Sequence, residues 1–115
     1  MSGMTPAPRL KAGLWVKMAL RMADLKGHSG MVLRRGDPDA GSVLAVLRGR
    51  HGLIVLSHTR TPDGELAWQQ ATGPIPVDDS AADSYVARQV GFDPDLWVLE
   101  FDAPDLIPPF EANIL

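Results

Sequence analysis

Large apolar residues recur in the first quarter of the chain at the spacing of a helix. Between residues 10 and 26 they fall every three or four positions, which places them on one helical face. They are Leu10, Leu14, Met18, Met22 and Leu25. We expect this face to be buried, with Gly27 ending the helix.

A second helix is predicted over 80–90, where small and branched apolar residues share one face. Its buried residues would be Ala82, Tyr85, Val86 and Val90. Asp79 or Ser80 is expected to cap its first turn.

Shorter segments with strand composition lie between turn-rich stretches, and they predict five strands. The segments are 31–35, 42–48, 53–59, 66–72 and 96–101. The second is apolar on both faces, which is typical of a central strand covered by two layers. The order α-β-β-β-β-α-β predicts an α+β fold with a mainly antiparallel five-stranded sheet and two helices packed on it.

The chain length of 115 residues fits one domain. We interpret residues 1–8 as a flexible leader, 9–102 as a single α+β domain and 103–115 as an extended C-terminal tail. The start lacks the basic and apolar pattern of a signal peptide, and no apolar run approaches the ~20 residues of a membrane span. The chain has no cysteine, which is compatible with a reducing compartment. We therefore expect a cytoplasmic protein that does not enter a membrane.

Charge is divided between the two halves of the chain. Residues 1–60 contain ten of the eleven basic residues and three acids, whereas residues 61–115 contain eleven acids and one base. Either the halves interleave and neutralise each other, or a basic face remains and binds something anionic. The isoelectric point of 5.4 argues against a general nucleic-acid-binding protein.

Two Asp-Pro-Asp turns are the most distinctive local feature. If the last strand pairs antiparallel with the first, four carboxylates would share one end of the sheet, and such oxygen clusters suit magnesium or calcium. They belong to Asp37, Asp39, Asp93 and Asp95. Arg34 and Arg35 adjoin the first turn and would hold an anion. The alternative is structural, because Asp-Pro initiates turns and turn carboxylates bond nearby backbone amides.

The remaining residues give no pattern of catalytic or cofactor-binding groups. His28, His51 and His58 lack metal-ligand spacing, and adjacent Ser57 and His58 would point to opposite faces of a strand. No cofactor is predicted apart from the divalent cation considered above. The apolar tail either covers its own sheet or crosses to a second copy in a homodimer.

Three blocks together resemble the alphaproteobacterial family of unknown function DUF1491. They are Leu14-Trp-Val-Lys-Met-Ala-Leu20, Arg34-Arg-Gly-Asp-Pro-Asp-Ala-Gly41 and Asp93-Pro-Asp-Leu-Trp-Val-Leu-Glu100. The resemblance covers about residues 9–102 and implies a bacterial cytoplasmic protein. It implies no activity, cofactor or catalytic residue.

Two functional hypotheses follow. The favoured one is a non-enzymatic binding or protein-interaction module, forming a homodimer through its tail, with an unknown ligand. The alternative is a small metal-dependent or phosphate-handling enzyme that uses the two Asp-Pro-Asp turns. Weak nucleic-acid contact through the basic half is a third hypothesis, and it predicts steep salt dependence.

Overall fold

The computed structural model describes residues 10–115, which form two helices and one five-stranded sheet. The helices are α1, Ala12–Leu25, and α2, Asp79–Phe92; the strands are β1, Gly30–Arg34, β2, Val43–Arg48, β3, Leu53–Arg60, β4, Leu66–Gln70, and β5, Trp97–Asp102. This is the predicted chain order. The predicted leader lies outside the described residues. Neither α1 nor α2 is long and apolar enough to cross a membrane.

The sheet is mixed, with strand order β1-β5-β2-β3-β4. Strands β2, β3 and β4 form an antiparallel meander. β5 lies between β1 and β2, antiparallel to β1 and parallel to β2. The prediction of a mainly antiparallel sheet was therefore wrong. The parallel pair arises because α2 carries the chain from β4 back across the sheet, which is the type of connection that a parallel neighbour needs.

Helix α1 covers one face of the sheet with small residues. Its buried residues are Ala12, Val16, Ala19 and Ala23. The predicted apolar stripe is not the buried one. Its members Leu10, Leu14, Met18 and Leu25 are exposed, and Met22 is half-buried. The sheet beneath α1 contributes bulky Trp97, Phe101 and Leu99, so small helix residues fill the remaining volume.

Helix α2 covers the opposite face with the residues predicted for it, Ala82, Tyr85, Val86 and Val90. Its cap is Asp78 rather than Asp79 or Ser80, since the Asp78 carboxylate accepts a hydrogen bond from the Ala81 amide at 2.8 Å. The Asp79 carboxylate instead pairs with the Arg48 guanidinium at 2.8 Å. Arg48 also contacts Glu100 at 3.1 Å, which joins the start of α2 to β2 and β5.

Residues 103–115, the C-terminal segment, lie against their own chain. Phe110 is 4% exposed within the core on the α1 side. The Trp68 amide donates to the Asn113 carbonyl at 2.8 Å, and the Leu115 amide donates to the Trp68 carbonyl at 2.9 Å. Of the two roles expected for this segment, the structure shows the covering of its own sheet, where it occupies the outer edge of β4.

The C-terminal segment should contribute to stability through Phe110. We expect Phe110→Ala to lower the free energy of unfolding by about 3–5 kcal/mol, because it opens a cavity between α1 and the sheet. Ile107→Ala is the matched control, since Ile107 is exposed in the same segment. It should change the free energy by less than about 0.5 kcal/mol. Urea unfolding measures the free energy of unfolding of both variants. Equal decreases in the two would contradict the core position of Phe110.

Candidate functional site

The two Asp-Pro-Asp turns meet at the start of β5. The Asp37 amide donates to the Asp95 carbonyl at 2.9 Å, and the indole Nε1 of Trp97 donates to the Asp37 carbonyl at 2.7 Å. β1 ends and β2 begins at this end of the sheet, with β5 between them. Residues 35–42 therefore cross over the start of β5. We call residues 35–42 and 93–97 together the turn junction.

Two of the four carboxylates of the turn junction, those of Asp37 and Asp93, accept hydrogen bonds from their own turns. Asp37 accepts from the amides of Asp39, at 3.1 Å, and Ala40, at 2.7 Å. Asp93 accepts from the Asp95 amide at 3.0 Å. The Asp39 carboxylate lies 3.6 Å from the Lys11 ammonium. Across residues 10–115, no three Asp, Glu or His side chains converge closely enough to hold a metal ion.

The two candidate anion-binding arginines also contact the start of β5. The Arg34 guanidinium donates to the Leu96 carbonyl at 2.7 Å. The Arg35 guanidinium lies over the Trp97 ring, 5.5 Å from its centroid, which is a cation–π distance. All six predicted site residues thus lie at one end of the sheet, where the side chains of Asp37, Asp93, Arg34 and Arg35 contact the backbone or rings of the turn junction.

Two glycines allow the loop of residues 35–42 to pass close to the start of β5. A Cβ atom at Gly36 would lie 2.2 Å from the Asp95 carbonyl oxygen, and one at Gly41 would lie 2.4 Å from the same atom. The same two Cβ atoms would lie 2.6 Å and 2.9 Å from Cδ1 of the Trp97 ring. Any side chain at these positions would separate the loop from β5. The two glycines are therefore steric requirements of the turn junction.

A polar cavity of about 240 Å³ lies beside the turn junction, between α2 and the sheet. Its polar lining includes Ser42, Ser57, Tyr85, Gln89 and Asp93. His58 also borders the cavity, but its ring lies 4.3 Å from the Trp68 ring on the α1 side of the sheet. Ser57 pairs with Leu44 and alternates to the α2 side. The serine hydroxyl and the imidazole therefore do not form a nucleophile–base pair.

His58 belongs to an aromatic cluster with Trp15, Trp68 and Phe110. Trp15 lies 5.5 Å from His58 and 5.4 Å from Phe110, measured between ring centroids. Burial, and secondarily the positive charge of Arg60, lower the pKa of His58 to about 4. Its Nε2 has no hydrogen-bond partner among the described residues. The neutral imidazole therefore acts as a packing ring near pH 7.

The outer face of α1 presents apolar and basic residues together. We define this face by Leu14, Lys17, Met18, Arg21 and Leu25, all exposed. Within residues 10–115, Lys17, Arg21 and Lys26 form no ion pair, although Arg48 and Arg50 are paired with acids of the second half.

A groove of about 310 Å³ adjoins this face between α1, β4 and the C-terminal segment. Its apolar lining includes Leu10, Trp15, Met18, Met22, Leu66 and Phe110. The sequence did not predict this surface. The helical spacing of Leu14, Met18 and Leu25 was interpreted as a buried face, but in the fold these residues are exposed to solvent.

Gly36→Ala should destabilise the protein by about 1–3 kcal/mol, because the new methyl group overlaps the Asp95 carbonyl and forces the loop away. Gly91→Ala is the matched control. Gly91 lies in α2 with no heavy atom within 4 Å of the added methyl group, so alanine should raise helix stability by about 0.5–1 kcal/mol. Thermal unfolding of both variants checks the opposite signs. Equal signs would contradict the steric account.

His58 should make stability depend on pH. Its folded pKa of about 4 lies below its usual 6.5, so the unfolded chain binds more protons between these values. The stabilisation is complete above about pH 6.5 and is lost as pH falls towards 4, by roughly 3 kcal/mol at most. His58→Phe should flatten this slope relative to the parent protein, whereas His51→Gln, at an exposed loop position, should leave it unchanged. Urea unfolding across this pH range measures the difference, and identical slopes would overturn the assignment.

Comparison with known proteins places the chain among proteins of unknown function. The DUF1491 family model matches residues 10–111. A crystal structure of a DUF1491 protein from Caulobacter crescentus CB15 is 31% identical, with a TM-score of 0.81, covering 93% of this chain and 100% of that one. An NMR structure of a DUF1491 protein from the same organism is 29% identical, with a TM-score of 0.82 and coverage of 95% and 99%.

A solution structure of a protein from A. tumefaciens is 20% identical, with a TM-score of 0.77 and coverage of 91% and 95%, which shows a shared fold. No curated protein matches the chain. The resemblance drawn from the three sequence blocks is confirmed, and the chain belongs to the DUF1491 family of proteins of unknown function.

Proposed function

We propose that this protein is a non-enzymatic interaction module of the bacterial cytoplasm that binds an acidic, amphipathic segment of a partner protein. The observation that carries the proposal is the outward apolar stripe on α1. Leu14 and Met18 are 50% and 47% exposed, one helical turn apart, and Leu25 is 71% exposed. Contiguous exposed apolar surface of this kind is typical of interaction sites.

The basic residues beside the apolar stripe favour an acidic partner. Lys17 and Arg21 lie beside the apolar stripe, and Lys26 follows the end of α1. A segment with leucine-like anchors every three or four residues and carboxylates alongside them would match both features. Its carboxylates would pair with cations that have no acidic partner among residues 10–115.

The adjoining groove supports a protein partner over a lipid surface. It is concave, and its deep end is formed by the Trp15 and Phe110 rings. Met18 and Met22 form its wall on α1, and flexible methionines adapt to an inserted side chain. A single large apolar side chain of the partner would fill such a groove, as anchor residues do at protein interfaces.

The enzymatic alternative has less support. A metal or phosphate site at the turn junction would need several free carboxylates or guanidinium groups. Asp37 and Asp93 bond turn amides, Asp39 lies beside Lys11, and Arg34 bonds the Leu96 carbonyl. Recruiting Arg34 to a ligand would break its contact at the start of β5, and recruiting Asp37 or Asp93 would break the hydrogen bonds of their turns.

A synthetic peptide with leucines at helical spacing and glutamates between them tests the proposal. In an NMR titration its addition should shift amide signals along α1 and around the groove. Met18→Glu should weaken binding by about tenfold or more, since burial of one such side chain contributes about 1.5–3 kcal/mol. Phe92→Glu, at an apolar and more exposed position on α2, is the control and should bind like the parent protein.

Two outcomes would contradict the proposal. One is equal weakening by Met18→Glu and Phe92→Glu, because the outer face of α1 would then have no special role. The other is sedimentation with anionic lipid vesicles, lost in Lys17→Glu, without measurable peptide binding. That result would assign the same face to a membrane surface.

A further inference from the structure

We infer that two copies of this chain pair through their β1 strands, extending both sheets into one. β1 is an edge strand, paired on one side with β5. Its three central residues, Met31, Val32 and Leu33, are 49%, 41% and 52% exposed. The inference concerns a surface other than the outer face of α1, so it stands independently of the proposed function.

Among residues 10–115, no strand pairs with the outer side of β1, which leaves backbone groups available there. The Ser29 carbonyl accepts from the Asp102 amide at 2.8 Å, in register with Gly30 opposite Phe101. Residues of an antiparallel pair alternate between bonded and non-bonded positions. The amides and carbonyls of Gly30 and Val32 therefore point away from β5, towards the open edge.

The first four residues of β1, Gly30–Leu33, carry no charge and no proline. Exposed edge strands are commonly protected by charged side chains or proline. A register shift between Val32 and Arg34 marks a bulge, which restricts regular pairing to residues 30–32.

These constraints define one register. Antiparallel pairing centred on Met31 sets Gly30 opposite the partner's Val32 and Val32 opposite the partner's Gly30. The outward groups of these residues then form four backbone hydrogen bonds across the two-fold axis. The two Met31 side chains meet at the centre, on the face opposite α1, because Met31 pairs with Glu100 and alternates with Gly30.

Charge favours the antiparallel orientation. Arg34 and Arg35 lie at one end of β1, and Asp102 bonds Ser29 at the other. Antiparallel pairing places the arginines of the two copies at opposite ends of the paired strands, whereas parallel pairing would place them together.

Pairing would stop at two copies. The other edge of the sheet, β4, is already bonded at Trp68 to Asn113 and Leu115 of its own chain. Within residues 10–115, β4 is thus bonded at its centre and β1 is open, which favours a closed dimer with a continuous ten-stranded sheet over a filament.

Light scattering after size exclusion tests the inference on the full chain. The expected molar mass is twice the 12.4 kDa of one chain. Val32→Pro removes an outward amide that β5 does not use, so it should halve the mass while the fold persists. Val32→Thr keeps both the amide and the branched side chain, and it should remain dimeric. A monomeric parent protein would overturn the inference.

A cysteine at the two-fold axis gives a second readout that does not depend on a proline. The chain has no cysteine, so Met31→Cys can form only a disulfide between copies. Non-bonded antiparallel pairs have Cα atoms about 4.5 Å apart, within disulfide range. Met31→Cys should cross-link under mild oxidation far faster than Ile107→Cys, an exposed control.

Equal cross-linking rates for these two variants would overturn the proposed register. Dimerisation that arises only after deletion of residues 1–9 would also overturn the inference for the full chain, because the deleted residues would then be what prevents pairing at β1.

Discussion

The architecture depends on one crossing: residues 35–42 must pass over the start of β5 to connect β1 with β2. These two strands are separated by β5, so the connection spans two strand spacings, roughly 9–10 Å. The loop passes close enough for the Asp37 amide to bond the Asp95 carbonyl and for the Trp97 indole to bond the Asp37 carbonyl. Without Gly36 and Gly41, this approach would be sterically blocked.

The crossing also determines the chemistry of the candidate residues. Carboxylates near a tight crossing satisfy backbone amides that would otherwise lack partners, as Asp37 and Asp93 do. Arg34 and Arg35 add a hydrogen bond and a ring contact to the same strand. Charged side chains gathered at one end of a sheet thus support a structural junction as directly as they would support a ligand.

In the fold, some basic residues of the first half pair with acids of the second half, and others stay exposed on α1. α1 and α2 cover opposite faces of the sheet. α1 carries Lys17 and Arg21 with one acid, Asp24, whereas α2 carries Asp79 and Asp83 with one base, Arg88. Arg48 and Arg50 are neutralised by acids of the second half. The charges of the two halves are therefore partly neutralised, while Lys17 and Arg21 form no ion pair among residues 10–115.

All seven elements could be predicted from the sequence, because periodicity and turn residues are local signals. The position of β5 could not, because apolar alternation shows which face of a strand is buried but not which strand lies beside it. The buried face of α1 was predicted wrongly for a related reason. Its small stripe at Ala12, Val16 and Ala19 has the same helical period as the large one, and only the bulky rings of the sheet decide between them.

The three blocks that carry the family resemblance differ in how far the fold accounts for them. The second and third are the two sides of the turn junction, so the crossing explains Gly36 and Gly41 of the second block and Trp97 of the third. The carboxylates of Asp37 and Asp93 bond the amides of the same two turns. The first lies in α1, where packing explains Val16 and Ala19. Packing does not explain Leu14 and Met18, which face outward at a cost in exposed apolar surface. A residue pattern that folding leaves unexplained is the better guide to function, and here it indicates the outer face of α1 rather than the aspartate turns.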